Sequence, residues 1–188
     1  FTFLSDDVER FHLDRVASLL SPNSLVVKMA KGSQGAACSG LYSACQLDQD
    51  SELLIISANE LVNVDYQTVI SDFRKRKLDA GTITFRSLHP RYSYVRLDSD
   101  GYVIETTQHN PITKNATAGV FWFRKTSYFV EAVKKQILKN ASNNGKFYVA
   151  PCLNELILLR LRIGVCEIDN DLYIPLKTKN QQLVLTEG

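Results

Sequence analysis

An excess of charge of either sign is missing from this sequence: 22 Lys and Arg stand against 20 Asp and Glu in 188 residues, a formal net charge of +2. Nucleic-acid arms and polybasic membrane patches need clustered like charge, so no nucleic-acid partner is expected. Long apolar runs are missing too. The longest reach about half of the ~20 residues a membrane-spanning helix needs, so no span is expected. Cysteine is scarce and unpatterned. Cys38, Cys45, Cys152 and Cys166 lie in apolar segments without CxxC spacing or a Cys/His cluster. That pattern excludes a zinc site and reads as buried free thiols in a cytoplasmic protein. Tryptophan and methionine occur once each and proline five times, and no linker-like or repetitive stretch divides the chain. The expectation is one domain over residues 1–188, long enough to bury about 70% of the surface its unfolded chain exposes. The sequence opens on Phe1 instead of Met, and on no basic-then-apolar leader, which fits a piece of a longer cytoplasmic polypeptide.

What is present is an alternating pattern. A short apolar strand over 1–4 precedes Ser5-Asp6-Asp7, which reads as a helix start with Glu9 completing a capping box. Residues 25–29 (LVVKM) read as a buried strand and 36–47 as a helix with a stripe at Ala37, Leu41, Ala44 and Cys45. Residues 53–56 (LLII) read as a parallel strand covered on both faces. Asp65 caps a helix that turns Val69, Ile70 and Phe73 inward, and its basic end, 74–77, reads as solvated charge favouring the helix dipole. Strands follow over 81–85, 93–96, 102–105 and 119–123, with Asp98-Ser-Asp-Gly101 as a hairpin turn. Helices from Thr126 and over 153–161, then strands over 163–167 and 171–174, complete an α/β domain with a mixed sheet.

Open α/β sheets bind ligands beyond the carboxyl ends of their strands. The loop 31–37 (KGSQGAA) has small residues that admit a ligand to backbone N–H groups at a helix start, although a tight turn explains its glycines equally well. Ser57-Ala-Asn-Glu60, after LLII, places polar groups where a metal or ribose could sit, or forms a plain loop. His109, in Gln108-His109-Asn110-Pro111, has acid–base capacity but no partner legible in sequence, so a solvated loop histidine is the default. Asn154-Glu155, after Pro151, either reach the cleft or lie at a helix N-cap.

In order, Gly35-Ala-Ala, 53–60 (LLIISANE), 89–96 (HPRYSYVR), 110–113 (NPIT), 116–123 (ATAGVFWF) and 147–155 (FYVAPCLNE) resemble the bacterial sugar-phosphate nucleotidylyltransferases, or nucleoside-diphosphate-sugar pyrophosphorylases. The resemblance runs from about Phe1 to Thr178. It implies a nucleotide-diphospho-sugar transferase (GT-A-like) fold: a three-layer α/β/α sandwich with a mixed sheet, here without its first strand. It also implies nucleotidyl transfer from a nucleoside triphosphate to a sugar 1-phosphate, with Mg²⁺, giving an NDP-sugar and pyrophosphate. Carried over by residue, Gly35, Ala36, Ser57 and Asn59 fall on the nucleotide side. Gln108, His109, Thr117, Gly119, Asn154 and Glu155 fall on the sugar-phosphate side. Asn59 stands at the metal position in place of an aspartate, and Gln108-His109 stand in place of a Glu-Lys pair. Leu176-Lys-Thr-Lys replaces a Gly-Thr-Pro turn, and the glycine-rich loop with its basic residue falls before Phe1.

Two readings follow. One is a nucleotidylyltransferase making activated sugars for polysaccharide, if an upstream glycine-rich loop completes it. The other is a catalytically degenerate sugar-nucleotide-binding or regulatory domain. A homo-oligomer suits either. A glycosyltransferase would call for a DxD metal motif, and Asp98-Ser-Asp100 has that spelling but lies in the hairpin turn.

Overall fold

The computed structural model describes residues 1–30 and 32–176. Lys31 and the residues after Leu176, with most of the stretch compared to the Gly-Thr-Pro turn, lie outside them. β1 (Thr2–Leu4) runs into α1 (Ser5–Phe11); His12, left-handed at φ 52°, breaks the helix; and α2 (Leu13–Leu20) returns the chain to β2 (Val27–Met29), parallel to β1. The capping box does not form. Leu4 occupies the cap position, and the Ser5 hydroxyl donates to the Met29 carbonyl at 3.2 Å, tying the helix start to β2.

α3 (Ala36–Ala44) stops short of the expected end at residue 47 and is followed by β3 (Leu53–Ile56). The expectation of a parallel strand is overturned here. β3 pairs antiparallel with β8 (Asn115–Phe123), Leu53 opposite Phe123 and Ile56 opposite Val120. An all-apolar strand reports cover on both faces, which holds for Leu53, Leu54 and Ile55 but not for Ile56, 49% exposed, and it does not set the direction of its neighbour. β4 (Glu60–Val62), too short to announce itself in sequence, pairs antiparallel with β10 (Tyr173–Pro175).

α4 (Tyr66–Lys75) carries the expected cap, Asp65 accepting from the Gln67 and Thr68 N–H groups. Its basic end is engaged structurally: Arg74 donates to Glu52 at 2.9 and 2.5 Å, and Arg76 to Asp72 at 3.1 Å and to the Val165 carbonyl at 3.0 Å. β5 (Ala80–Arg86), β6 (Ser93–Leu97), β7 (Val103–Gln108), β8 and β9 (Ile163–Glu167) form a sheet in the order β7-β6-β8-β5-β9, with β3 also on β8. Only β5 and β9 run parallel within it. The 98–101 turn forms as read, with Asp98 Oδ1 accepting from the Asp100 and Tyr102 N–H groups.

Helices cover both faces, as expected of the sandwich. α3, α5 (Thr126–Leu138) and α6 (Val149–Leu158) enclose one apolar cluster, which includes Phe121, Phe123, Phe129 and Leu153. α4 and the β4–β10 ribbon enclose the other, with Phe73, Tyr94, Val120 and Trp122. β8 feeds both by strict alternation, Val120 and Trp122 to one side and Phe121 and Phe123 to the other. Of the cysteines only Cys152 is fully buried; Cys38 and Cys166 are half-buried and Cys45 is exposed, which corrects the reading of all four as buried, and none is bridged. Burial pushes the Cys152 thiol far above its ordinary range.

Candidate functional site

A cavity of about 620 Å³ opens at one end of the large sheet. Strand direction places it there. With Ile56 opposite Val120 and Ser93 opposite Gln108, the exits of β3 and β7 lie beside the middle of β8 and the entry of β6. The cavity has two parts. One is an apolar slot between β1 and β3, floored by small α3 residues such as Ala36, Ser39 and Gly40. No ladder among the described residues joins β1 to β3, so this slot separates the two sheets. The other part is polar and collects loop residues from four segments.

Gly35, at φ 103°, precedes α3 against the backbone of Phe147. Phe147 N–H donates to the Gln34 carbonyl at 2.7 Å, and Ala37 N–H donates to the Phe147 carbonyl at 3.1 Å. Ala36 lines the cavity, whereas Gly35 shapes the turn behind it.

Ser57 N–H donates to the Gly119 carbonyl at 2.9 Å, extending the β3–β8 ladder by one residue. At Gly119 β8 bulges: its register with β5 shifts between Thr82 and Thr84, and its φ is 73°. The bulge sets Gly119 against the Glu60 carboxylate, with Thr117 on the same wall of the cavity. Glu60 enters β4 opposite Pro175, and the Asn59 carbonyl accepts from Leu176 N–H at 2.8 Å, so β10 pins the loop. Asn59 is exposed on the cavity wall. Burial, and then the negative charge of Glu60, push the Tyr173 hydroxyl far above its ordinary range, so it stays protonated.

His109 has the partners that sequence could not supply. It is left-handed at φ 60°; its N–H donates to the Tyr92 carbonyl at 3.0 Å and its Nδ1 lies 3.0 Å from the Pro90 carbonyl. A carbonyl only accepts, so Nδ1 carries the proton. The other ring nitrogen, Nε2, lies 3.4 Å from the Tyr148 hydroxyl. The rings meet edge to face at 5.4 Å. Gln108 is fixed beside it, its Oε1 accepting from the Ser93 hydroxyl and its backbone carbonyl from Asn143 Nδ2 at 2.8 Å. Sequence reasoning passed over Arg91 and Tyr148 as site residues, although both lay in the strings that carried the resemblance, and it named Glu60 only as the end of the Ser57–Glu60 loop. The signal for Arg91 was a lone cation in a loop directly before a strand.

Asn154 and Glu155 are not brought to the cleft. α6 begins at Val149, not near residue 153, because Pro151 sits in the first turn, where its missing N–H costs no helical bond. Asn154 is therefore mid-helix. Its Oδ1 accepts from Thr106 N–H at 2.8 Å and its Nδ2 donates to the Thr106 carbonyl at 2.9 Å. This side chain acts as a further strand partner for β7, the edge of the sheet. Glu155, 6% exposed, accepts from Lys139 Nζ at 2.7 Å. Asn154→Leu is expected to cost about 2–4 kcal/mol by stranding the Thr106 backbone groups, with no change in ligand affinity. Urea denaturation and ligand titration of the same variant check both halves.

No protein-family model matches the sequence, and no curated protein does. Solved structures match closely in shape. A nucleoside-diphosphate-sugar pyrophosphorylase from Vibrio cholerae is 17% identical, with a TM-score of 0.84 over all of this chain and 80% of that one. The fold is that of the nucleotide-sugar pyrophosphorylases. An inositol-1-phosphate CTP transferase from T. maritima is 14% identical, with a TM-score of 0.70 over 96% of this chain and 70% of that one. A protein assigned as a glucose-1-phosphate thymidylyltransferase from Bacillus anthracis is also 14% identical, with a TM-score of 0.67 over 93% of this chain and 71% of that one.

The pyrophosphorylase fold raises the question of Mg²⁺. Among the described residues, no three His, Cys, Asp or Glu side chains gather at one point. The cleft offers the neutral Asn59 amide and the Glu60 carboxylate, one of whose oxygens is packed against Gly119. A hard dication prefers anionic oxygens in an open octahedron, so these residues do not fit a resident Mg²⁺. Among the described residues no helix is long and apolar enough to cross a membrane.

Proposed function

We propose that this chain is a nucleotidylyltransferase-type domain that joins the nucleotidyl group of a nucleoside triphosphate to a sugar 1-phosphate. A phosphate oxygen of the sugar 1-phosphate attacks the α-phosphorus, the bond from that phosphorus to the pyrophosphate oxygen breaks, and pyrophosphate leaves. The observation that carries this reading is convergence. Ala36, Ser57 and Asn59, Gln108 and His109, and Thr117 and Gly119 come from four distant segments, yet line one cavity of this fold. Such a cleft holds two polyanions in line and excludes water, and positioning is the larger share of this chemistry. In the assignment argued here, Ala36 with Ser57 and Asn59 flanks the nucleotide. Gln108 and His109 face the sugar phosphate, where His109 is oriented by its Nδ1–H bond to the Pro90 carbonyl and the Tyr148 hydroxyl can donate to a phosphate oxygen. Thr117 and Gly119 border the sugar ring. Two of the structural neighbours are named for action on a ring 1-phosphate, of glucose and of inositol. The setting that suits this chemistry is a cytoplasmic supply of activated sugars for polysaccharide.

A pyrophosphate-release assay across nucleoside triphosphates and sugar 1-phosphates tests the reading. Release that needs a 1-phosphate supports it, and no release with any pair overturns it. Asn59 favours a second reading, a sugar-nucleotide-binding or regulatory domain without transfer, because an amide stands where the resemblance puts a carboxylate. Binding of NDP-sugars without pyrophosphate release supports that one. Under either reading, Mg²⁺ is expected to change nucleoside triphosphate affinity by less than about threefold, since the described residues of the cleft offer no carboxylate pair for it. Calorimetric titration with and without Mg²⁺ checks this, and a strong metal dependence is the contrary result.

A further inference from the structure

We propose that Arg91 is the phosphate-binding residue of the cleft, its guanidinium taking the phosphate of the bound sugar 1-phosphate. The inference deepens the proposed function and rests on that reading for the identity of the ligand. Its basis is a buried guanidinium N–H at the cavity that no described group accepts from. Arg74, Arg76, Arg86, Arg96 and Arg124 each hold an Asp or Glu within ion-pair distance. Arg91 lines the cavity, half-buried, and pairs with no described carboxylate, and its Nε is buried without a hydrogen-bond acceptor among the described residues. A buried guanidinium N–H that lacks an acceptor is costly unless a ligand supplies one.

The residue is also held in place. Its guanidinium carbon lies 4.9 Å from the centre of the Tyr92 ring. Its backbone N–H donates to His89 Nδ1 at 3.3 Å, and the Tyr94 hydroxyl donates to the His89 carbonyl at 2.7 Å. On either side of Arg91, the Pro90 and Tyr92 carbonyls are both engaged by His109. The loop is thus clamped to the segment that carries Gln108 and His109, and little ordering remains to be done when an anion arrives. A planar guanidinium presents parallel N–H groups that match two phosphate oxygens. The acidic side chain on the cavity wall, Glu60, sits at the β3–β4 end against Gly119. Its charge disfavours a phosphate against Gly119.

The test is calorimetric titration of wild type, R91Q and R91K with α-D-glucose 1-phosphate, glucose, inorganic phosphate and a nucleoside triphosphate, with thermal melts confirming that each variant folds. The expected result is that R91Q weakens glucose 1-phosphate and inorganic phosphate about ten- to a hundredfold, the loss of one charge-assisted bidentate contact. R91K should restore part of that loss, with the triphosphate changed far less. Wild-type affinity for glucose 1-phosphate in R91Q overturns the assignment, as does failure of wild type to bind either phosphate ligand. Pyrophosphate release separates the two claims. Arg91-dependent phosphate binding without release from any substrate pair upholds the anion site and sinks the transferase reading; release unaltered in R91Q does the reverse.

Discussion

Gly119→Ala is expected to lower the free energy of unfolding by about 2–5 kcal/mol and to abolish ligand binding in the cleft. Two costs add. At φ 73° an L side chain pays the left-handed penalty of about 1–2 kcal/mol. The new Cβ would also fall 2.2 Å from Glu60 Oε2 and 2.9 Å from Ser57 Cβ. Neither can withdraw freely, because Ser57 is bonded through its N–H to the Gly119 carbonyl and Glu60 is paired into β4 opposite Pro175. The loop carrying Ser57, Asn59 and Glu60 must therefore move, and the cavity wall moves with it. Gly101→Ala is the control: its φ is 81°, but a Cβ there meets nothing within 4 Å. The difference between the two variants isolates the steric part. Trp122, the single tryptophan, is buried three residues further along β8 and reports unfolding by fluorescence in both.

Gly35→Ala is expected to cost about 3–5 kcal/mol, left-handed strain plus overpacking against atoms that cannot rotate away. A Cβ at Gly35 would lie 2.4 Å from the Phe147 carbonyl oxygen and 2.9 Å from the Phe147 nitrogen, both backbone. Relief requires breaking the Phe147–Gln34 and Ala37–Phe147 hydrogen bonds that clasp the two loops. Tyr148 follows Phe147, so its hydroxyl should leave His109 Nε2 as well. Hydrogen exchange over residues 145–150 should rise together with the loss of melting temperature; unchanged exchange there contradicts the clasp.

Several of these features were legible before any coordinates. The Asp65 cap, the Asp98–Gly101 turn and the β8 alternation are written in residues at most a few positions apart, where hydrogen-bonding reach and side-chain period decide the outcome. The ordered strings that resemble the pyrophosphorylases marked Ala36, Ser57, Asn59, Gln108, His109, Thr117 and Gly119, and all of these line the one cavity. The errors have a common cause. Pro151 lies inside the first turn of α6 and does not precede it, so Asn154 and Glu155, which the resemblance puts on the sugar side, face β7 and Lys139. The neighbours of Ser5 allow a cap, while its hydroxyl goes to Met29, 24 residues away.

The sequence by itself determined the kinds and order of most elements, an α/β domain with a mixed sheet, and which loops carry polar groups, because these follow from local periodicity and turn chemistry; the layered sandwich was implied by the resemblance. Only the tertiary structure decided that β3 runs antiparallel to β8, that His109 is held by Pro90 and Tyr148, and that Arg91 is a cation without a described carboxylate in a clamped loop. Those outcomes depend on which distant backbone groups come within hydrogen-bonding distance. No single segment encodes that; chain topology and close packing settle it together.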